Sequence, residues 1–323
     1  MTYQFEKYVT DEQRLMDTLN TYGVAIIPNV LSEEECYDMN LGMWNTLETL
    51  TQTWDVSINR NKHETWRQMR NLYPSHSMLI QHWNVGHAQY VWNLRQNSKI
   101  VNIFSKIWDC KNDELLVSFD GVSYHMPPEI TEIGWYRGNK WLHSDQSFTD
   151  SSFKCVQSWV TGYDVNEGDA TLCLLEGSHK FHEECKKKFG IVEKKDWYKL
   201  NDEEMNFYEN EKGCENVRIK CPKGSLVLWD SRTIHSGAEA LKTRKHLNFR
   251  NVVYLCYHPR SMANSKQIEK KKKAFQEMRM TSHWPCKVTL FPKIPRTYGG
   301  EIYEMTQLEP PILNELGMKL AGF

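Results

Sequence analysis

Between residues 153 and 257 the chain breaks into six short runs of β type, at 153–164, 170–176, 216–221, 225–230, 233–236 and 247–257, with turn residues between them. Runs of this length without regularly alternating helices argue for an antiparallel sandwich or barrel rather than a parallel α/β sheet. A charged stretch, 181–213, interrupts the series and is expected to form surface helices.

The segments on either side read differently. Leu15 and Leu19 are one helical turn apart, behind a Thr10/Gln13 pair spaced as a capping box. An apolar strand at 24–27 stops at Pro28, and Ser32 with Glu35 opens a second helix. Most of 40–110 has helical character, clearest through Ile100, Ile103, Phe104 and Ile107. A strand is expected at 115–121, followed by a Pro- and Gly-marked loop. After Pro259 the spacing predicts a solvated helix over 265–280 carrying the lysine run 270–273, then an extended aromatic tail that packs back on the β core.

Composition narrows the class of protein. With 40% hydrophobic residues and 12 Trp in 323 residues, one large domain with a sizeable core is expected. Its core would span about 115–260, with 1–114 as helical support and substrate region and 261–323 as a C-terminal extension. A net charge of −1 supplies no bulk attraction to nucleic acid or to an anionic membrane. Nine cysteines without a CxxC pair, several inside apolar runs, read as reduced, packed thiols. No signal pattern and no long apolar span is evident, so a soluble, cytoplasmic protein is expected.

The chemistry concentrates in two fragments. His143 and Asp145 stand two apart on an extended stretch, and the β run 225–230 leads into a second histidine, His235. Two imidazoles and one carboxylate on one face of a cation leave the opposite face open, the arrangement of oxygen-activating non-haem Fe(II) enzymes. The usual co-substrate, 2-oxoglutarate, needs a partner for its far carboxylate, and a guanidinium offers a two-pronged one. Arg250, in the apolar run 247–257, is the candidate; Arg244 is the alternative, in a turn that reads as exposed. Period-two alternation puts Gln157, Trp159 and Thr161 on one face of their strand, where they can hold or wall off the co-substrate. Gln81, His82, Asp120, Tyr124, Arg137 and Trp141 are candidate pocket linings, and His179 and His182 read as structural or substrate-edge residues.

Together, the stretch from Tyr22 to Glu35, His143-Ser144-Asp145, Gly177-Ser178-His179-Lys180, and the stretch from Gly224 to Gly237 with Arg250 resemble the phytanoyl-CoA dioxygenase family. The resemblance implies a mainly β fold with helical additions: a double-stranded β-helix, or cupin-like jelly roll, with N-terminal and inserted helices. It implies Fe(II) held by His143, Asp145 and His235, 2-oxoglutarate anchored at Arg250 beside Trp159, and O2 as oxidant. The expected reaction is hydroxylation of an unactivated C–H of a small molecule, with release of succinate and CO2. Related halogenases lack the carboxylate, so Asp145 favours hydroxylation. The competing readings are a non-catalytic jelly-roll binding protein, and an oxygenase acting on protein or nucleic acid through the lysines at 186–188 and 270–273. Near-neutral charge disfavours nucleic acid.

Overall fold

A computed structural model describes residues 2–75, 78–138, 141–293, 297–301 and 303–323. Its strands are β1 (Thr2–Gln4), β2 (Val24–Ile27), β3 (Leu115–Val117), β4 (Val122–His125), β5 (His143–Ser144) and β6 (Val156–Thr161). They continue with β7 (Thr171–Leu175), β8 (Tyr198–Lys199), β9 (Asn216–Ile219), β10 (Leu226–Asp230), β11 (His235–Ala238) and β12 (Arg250–Pro259). One sheet runs β1-β9-β7-β11-β5-β8, the other β2-β10-β6-β12-β3 with β4 also on β12. The β1–β9 pair is parallel, and the other strand pairs are antiparallel.

The sheets face each other. Val24 and Ile26 of β2, Trp159 of β6 and Val227 of β10 pack with Leu172 and Leu174 of β7 and Val217 and Ile219 of β9 in one buried cluster. Side chains alternate along a strand, so Ala25, Ile27, Val160, Leu226 and Leu228 point the other way. There they meet the helices Glu33–Thr51 and Ser98–Trp108 through Met39, Met43, Ile100 and Phe104. A sheet covered on both faces explains why its strands read as continuous apolar runs. The result is the expected jelly roll, although its first two strands come from the N-terminal region.

Some local expectations change. Ser32 and Glu35 do form a capping box. Ahead of the first helix, Leu15–Tyr22, Thr10 makes no such contact; the Asp11 carboxylate instead accepts from the backbone N–H of Gln13 and Arg14, each at 3.0 Å. The run 115–121 yields only β3, because Asp120 Oδ1 accepts from its own neighbour Gly121 N at 2.7 Å and interrupts the ladder before β4. In the helix Ser265–Gln276 the lysine run is not uniformly solvated. Lys271 is buried, its ammonium donating to the carbonyls of Val117 and Pro285 and lying 4.1 Å from the Phe119 ring centroid. Burial pushes it down to about 7. The tail packs back as expected: Val288, Leu290, Phe291 and Leu313 join the main cluster. Among the described residues no helix is long and apolar enough to cross a membrane.

Leu228, fully buried on β10 between β2 and β6, tests how much this layer carries. Leu228→Ala is expected to lower unfolding free energy by ~2–5 kcal/mol, read as a lower urea midpoint at unchanged slope.

Candidate metal centre and active-site cavity

Strand pairing assembles the centre. β11 and β5 run antiparallel with His235 opposite His143, and the rings sit 4.6 Å apart between centroids. Each Nδ1 lies against a backbone carbonyl, Trp141 O at 3.0 Å for His143 and Thr233 O at 2.8 Å for His235. Donating the Nδ1 proton there fixes the tautomer and leaves both Nε2 lone pairs free. These turn toward Asp145, with His143 Nε2 3.5 Å from Oδ1 and His235 Nε2 3.4 Å from Oδ2. One donor atom from each of the three residues lies within 4.8 Å of the others. Two nitrogens and one carboxylate at that spacing fit a divalent first-row metal.

The surroundings shift two of these three groups. Burial pushes His143 down to about 4, against the pull of Asp145, so its imidazole is neutral at ordinary pH. Burial by itself would raise the Asp145 carboxyl; His143, His283 and His235 outweigh it and hold the group well below the usual carboxylate range. Gln157 Nε2 donates to Asp145 Oδ2 at 3.0 Å. Trp141 stacks on His143 at 4.9 Å and donates to Gly237 O at 3.1 Å, which fixes the outer face of the ring. His182, stacked on Phe148 at 4.1 Å, touches Ser144 and the carbonyl of Gln146, so it braces the ligand loop. His179 Nε2 contacts Asn20 O at 3.1 Å, a structural placement.

A cavity of about 740 Å³ opens over the triad. Its floor is the sheet interior, with Gln157, Leu172, Trp229 and Tyr254. One wall is the inserted segment with Trp197, another the C-terminal extension with His283, Trp284 and Phe291, and a third carries Met78, Gln81 and Asp120. The two late segments meet at the Asp196–Lys287 ion pair, 2.6 Å. Of the candidate linings, Gln81, Asp120 and Trp141 face this cavity, while His82, Tyr124 and Arg137 lie outside it.

Arg250, Trp159 and Thr161 stand behind the floor. Trp159 is wholly buried between the sheets, with the Arg250 guanidinium 5.5 Å from its ring centroid. Arg250 and Thr161 line a smaller pocket with His125. Arg250 donates to Ser123 Oγ at 3.1 Å and Ala170 O at 3.0 Å, and among the described residues no carboxylate pairs with it. Arg244 differs: its side chain is buried rather than exposed, held by Glu129 at 2.7 Å and Asp169 at 3.1 Å. Tyr254 joins the two spaces, since it lines the cavity and its phenol, raised by burial, is pulled back by the Arg250 guanidinium beside it. Alternation from Arg250 along β12 would have found Tyr254. Trp197 and His283 sit in segments without periodicity, and no sequence signal marks them.

Fold and site together define a non-haem oxygenase built on a double-stranded β-helix. The phytanoyl-CoA dioxygenase family matches residues 19–248, and the chain belongs to that family, whose cofactors are Fe(II) and 2-oxoglutarate. It is 27% identical to Ava biosynthesis cluster protein O of Aspergillus versicolor over 83% of this chain and 85% of that protein. A Dictyostelium discoideum protein named provisionally as a phytanoyl-CoA dioxygenase is 22% identical over 78% of this chain and 76% of its own. Among solved structures, a Salmonella typhimurium LT2 protein assigned provisionally to the oxidoreductases superposes with a TM-score of 0.60 at 14% identity, covering 98% of this chain and 86% of that one. At that identity the likeness is one of fold.

His125, beside Arg250, gives a pH signature. Burial, with Arg250 adding to it, pushes the imidazole from 6.5 down to about 3. The unfolded chain takes this proton first as pH falls, so the contribution to stability is complete above about 6.5 and is lost as pH drops toward 3. His125→Phe removes it, and urea titrations across that window are expected to show a shallower decline in unfolding free energy than the parent.

Proposed function

We propose that the chain is an Fe(II)- and 2-oxoglutarate-dependent hydroxylase of an unactivated C–H in a small-molecule substrate. The observation that carries this reading is the convergence of His143, Asp145 and His235 under a large cavity whose lining mixes aromatic with polar side chains. Bound iron and 2-oxoglutarate supply the oxidising power, inserting one oxygen atom of O2 into the substrate and releasing succinate and CO2. The remaining work belongs to the chain. His143 and His235 point Nε2 inward because their Nδ1 atoms face the carbonyls of Trp141 and Thr233. Asp145 takes the third ligand position and keeps its charge, with Gln157 orienting it. A carboxylate there leaves no ligand place for a halide, which favours hydroxylation over halogenation.

Arg250 is proposed as the anchor for the far carboxylate of 2-oxoglutarate, with Trp159 and Thr161 shaping the space around it. A buried guanidinium without a carboxylate partner is costly, and an anionic ligand offsets that cost. Arg244 already has two carboxylates and so has no such need. Trp197, Trp284 and Phe291 exclude water from the reacting C–H. A small molecule suits this enclosure. Several of the lysines that would greet a polyanion are also engaged, Lys188 with Glu211, Lys186 and Lys187 with Glu183, and Lys272 with Glu269.

Two measurements test these roles. His143→Ala or Asp145→Ala is expected to abolish 2-oxoglutarate-dependent succinate formation while far-UV circular dichroism stays unchanged; full turnover by either variant would show the ligand set to be misassigned. Arg250→Lys is expected to raise the KM for 2-oxoglutarate by on the order of a hundredfold, since it keeps charge but loses the fork, whereas Arg244→Lys leaves that KM unchanged.

A further inference from the structure

The cysteines carry a second cluster of metal-ligand character, apart from the triad. Cys155, Cys256 and His258 are all buried, and one donor atom from each lies within 4.8 Å of the other two. The strand register produces this. Cys256 stands opposite Gln157 on β6, so alternation places Cys155, two residues before Gln157, and His258, two residues after Cys256, on the same face of the β6–β12 ladder. The sulfurs are 3.5 Å apart. Two thiolates on one zinc ion, with bonds of ~2.3 Å at a tetrahedral angle, would stand about 3.8 Å apart, so little movement separates this geometry from a loaded one.

A second observation also points to a ligand. Nε2 of His258 is buried and, among the described residues, has no hydrogen-bond partner at ordinary geometry; the Cys155 thiol lies beside the ring, which Trp108 and Trp284 hold edge-on at 5.4 and 5.5 Å. A packed thiol pair needs no imidazole beside it, and an unpaired buried ring nitrogen costs free energy that a metal ion would offset. The donor set also selects the ion. Sulfur and imidazole without an oxygen ligand favour zinc or copper(I) over magnesium, calcium or manganese. Charge decides between the two, because two thiolates neutralise a divalent ion, and a neutral cluster is the one a buried site tolerates.

We propose that Cys155, Cys256 and His258 bind a zinc(II) ion, with two thiol protons released to solvent on binding and an exogenous fourth ligand such as water. The site braces the ends of β6 and β12, the strands that carry Gln157 under the triad and Tyr254 in the cavity floor. It takes thiophilic metal where the triad takes iron.

Elemental analysis of the full chain purified under reducing conditions tests this. Stoichiometric zinc is expected in the parent and in Asp145→Ala, which disables the triad, and is expected to be lost in Cys155→Ser and Cys256→Ser. Cobalt(II) gives an independent reading. In Asp145→Ala it is expected to show thiolate-to-cobalt charge-transfer absorption, which nitrogen and oxygen ligands do not produce. Absence of both stoichiometric zinc and that absorption in Asp145→Ala would overturn the site, whether or not the cysteine variants fold. Copper(I) in place of zinc would overturn the charge argument.

Discussion

One antiparallel contact, β11 against β5, places His235 across from His143, and the function of this molecule depends on it. Strand pairing fixes the separation of the two backbones, and carbonyls at Trp141 and Thr233 fix the rotation of the two rings. Neither imidazole then has much freedom left. The entropy of arranging the three donors is lost when the sheet forms, so a metal ion would meet them already in position. Asp145 completes the set because its backbone N–H is tied to Ser231 O at 3.2 Å, in the turn between β10 and β11.

Burial then separates the charges into two kinds. Asp145 is an anion surrounded by histidines, and its ionised form is kept by them and by Gln157. Arg244 is a cation satisfied within the fold by Glu129 and Asp169. Arg250 is a cation whose hydrogen-bond partners among the described residues, Ser123 and Ala170, are neutral, with an aromatic ring beside it. The contrast between the two arginines rests on their partners, since both side chains are buried. That difference makes one of them part of the scaffold and leaves the other suited to a ligand.

Much of this was legible from local pattern. The β runs between 153 and 257, the Ser32/Glu35 capping box, the His143/Asp145 pair and the distal His235 each follow from spacing and residue type, which survive into the structure because both sheets bury their faces. What resisted reading had no local signature. β4 and β8 are too short to show alternation, and the burial of Lys271 depends on the carbonyls of Val117 and Pro285 and the Phe119 ring rather than on the helix that carries it. Trp197 and His283 reach the cavity from an insertion and from a tail, segments whose position is set by what they pack against.

The amino-acid sequence alone determined the class of fold and singled out His143, Asp145 and His235 as candidates, because alternation and donor chemistry can be read from short stretches of chain. Tertiary structure alone decided which arginine lacks a carboxylate, which aromatic groups roof the cavity, and that Cys155, Cys256 and His258 stand together. Those are properties of neighbours across strands and segments, created by register and burial, and no single stretch of sequence contains the whole set.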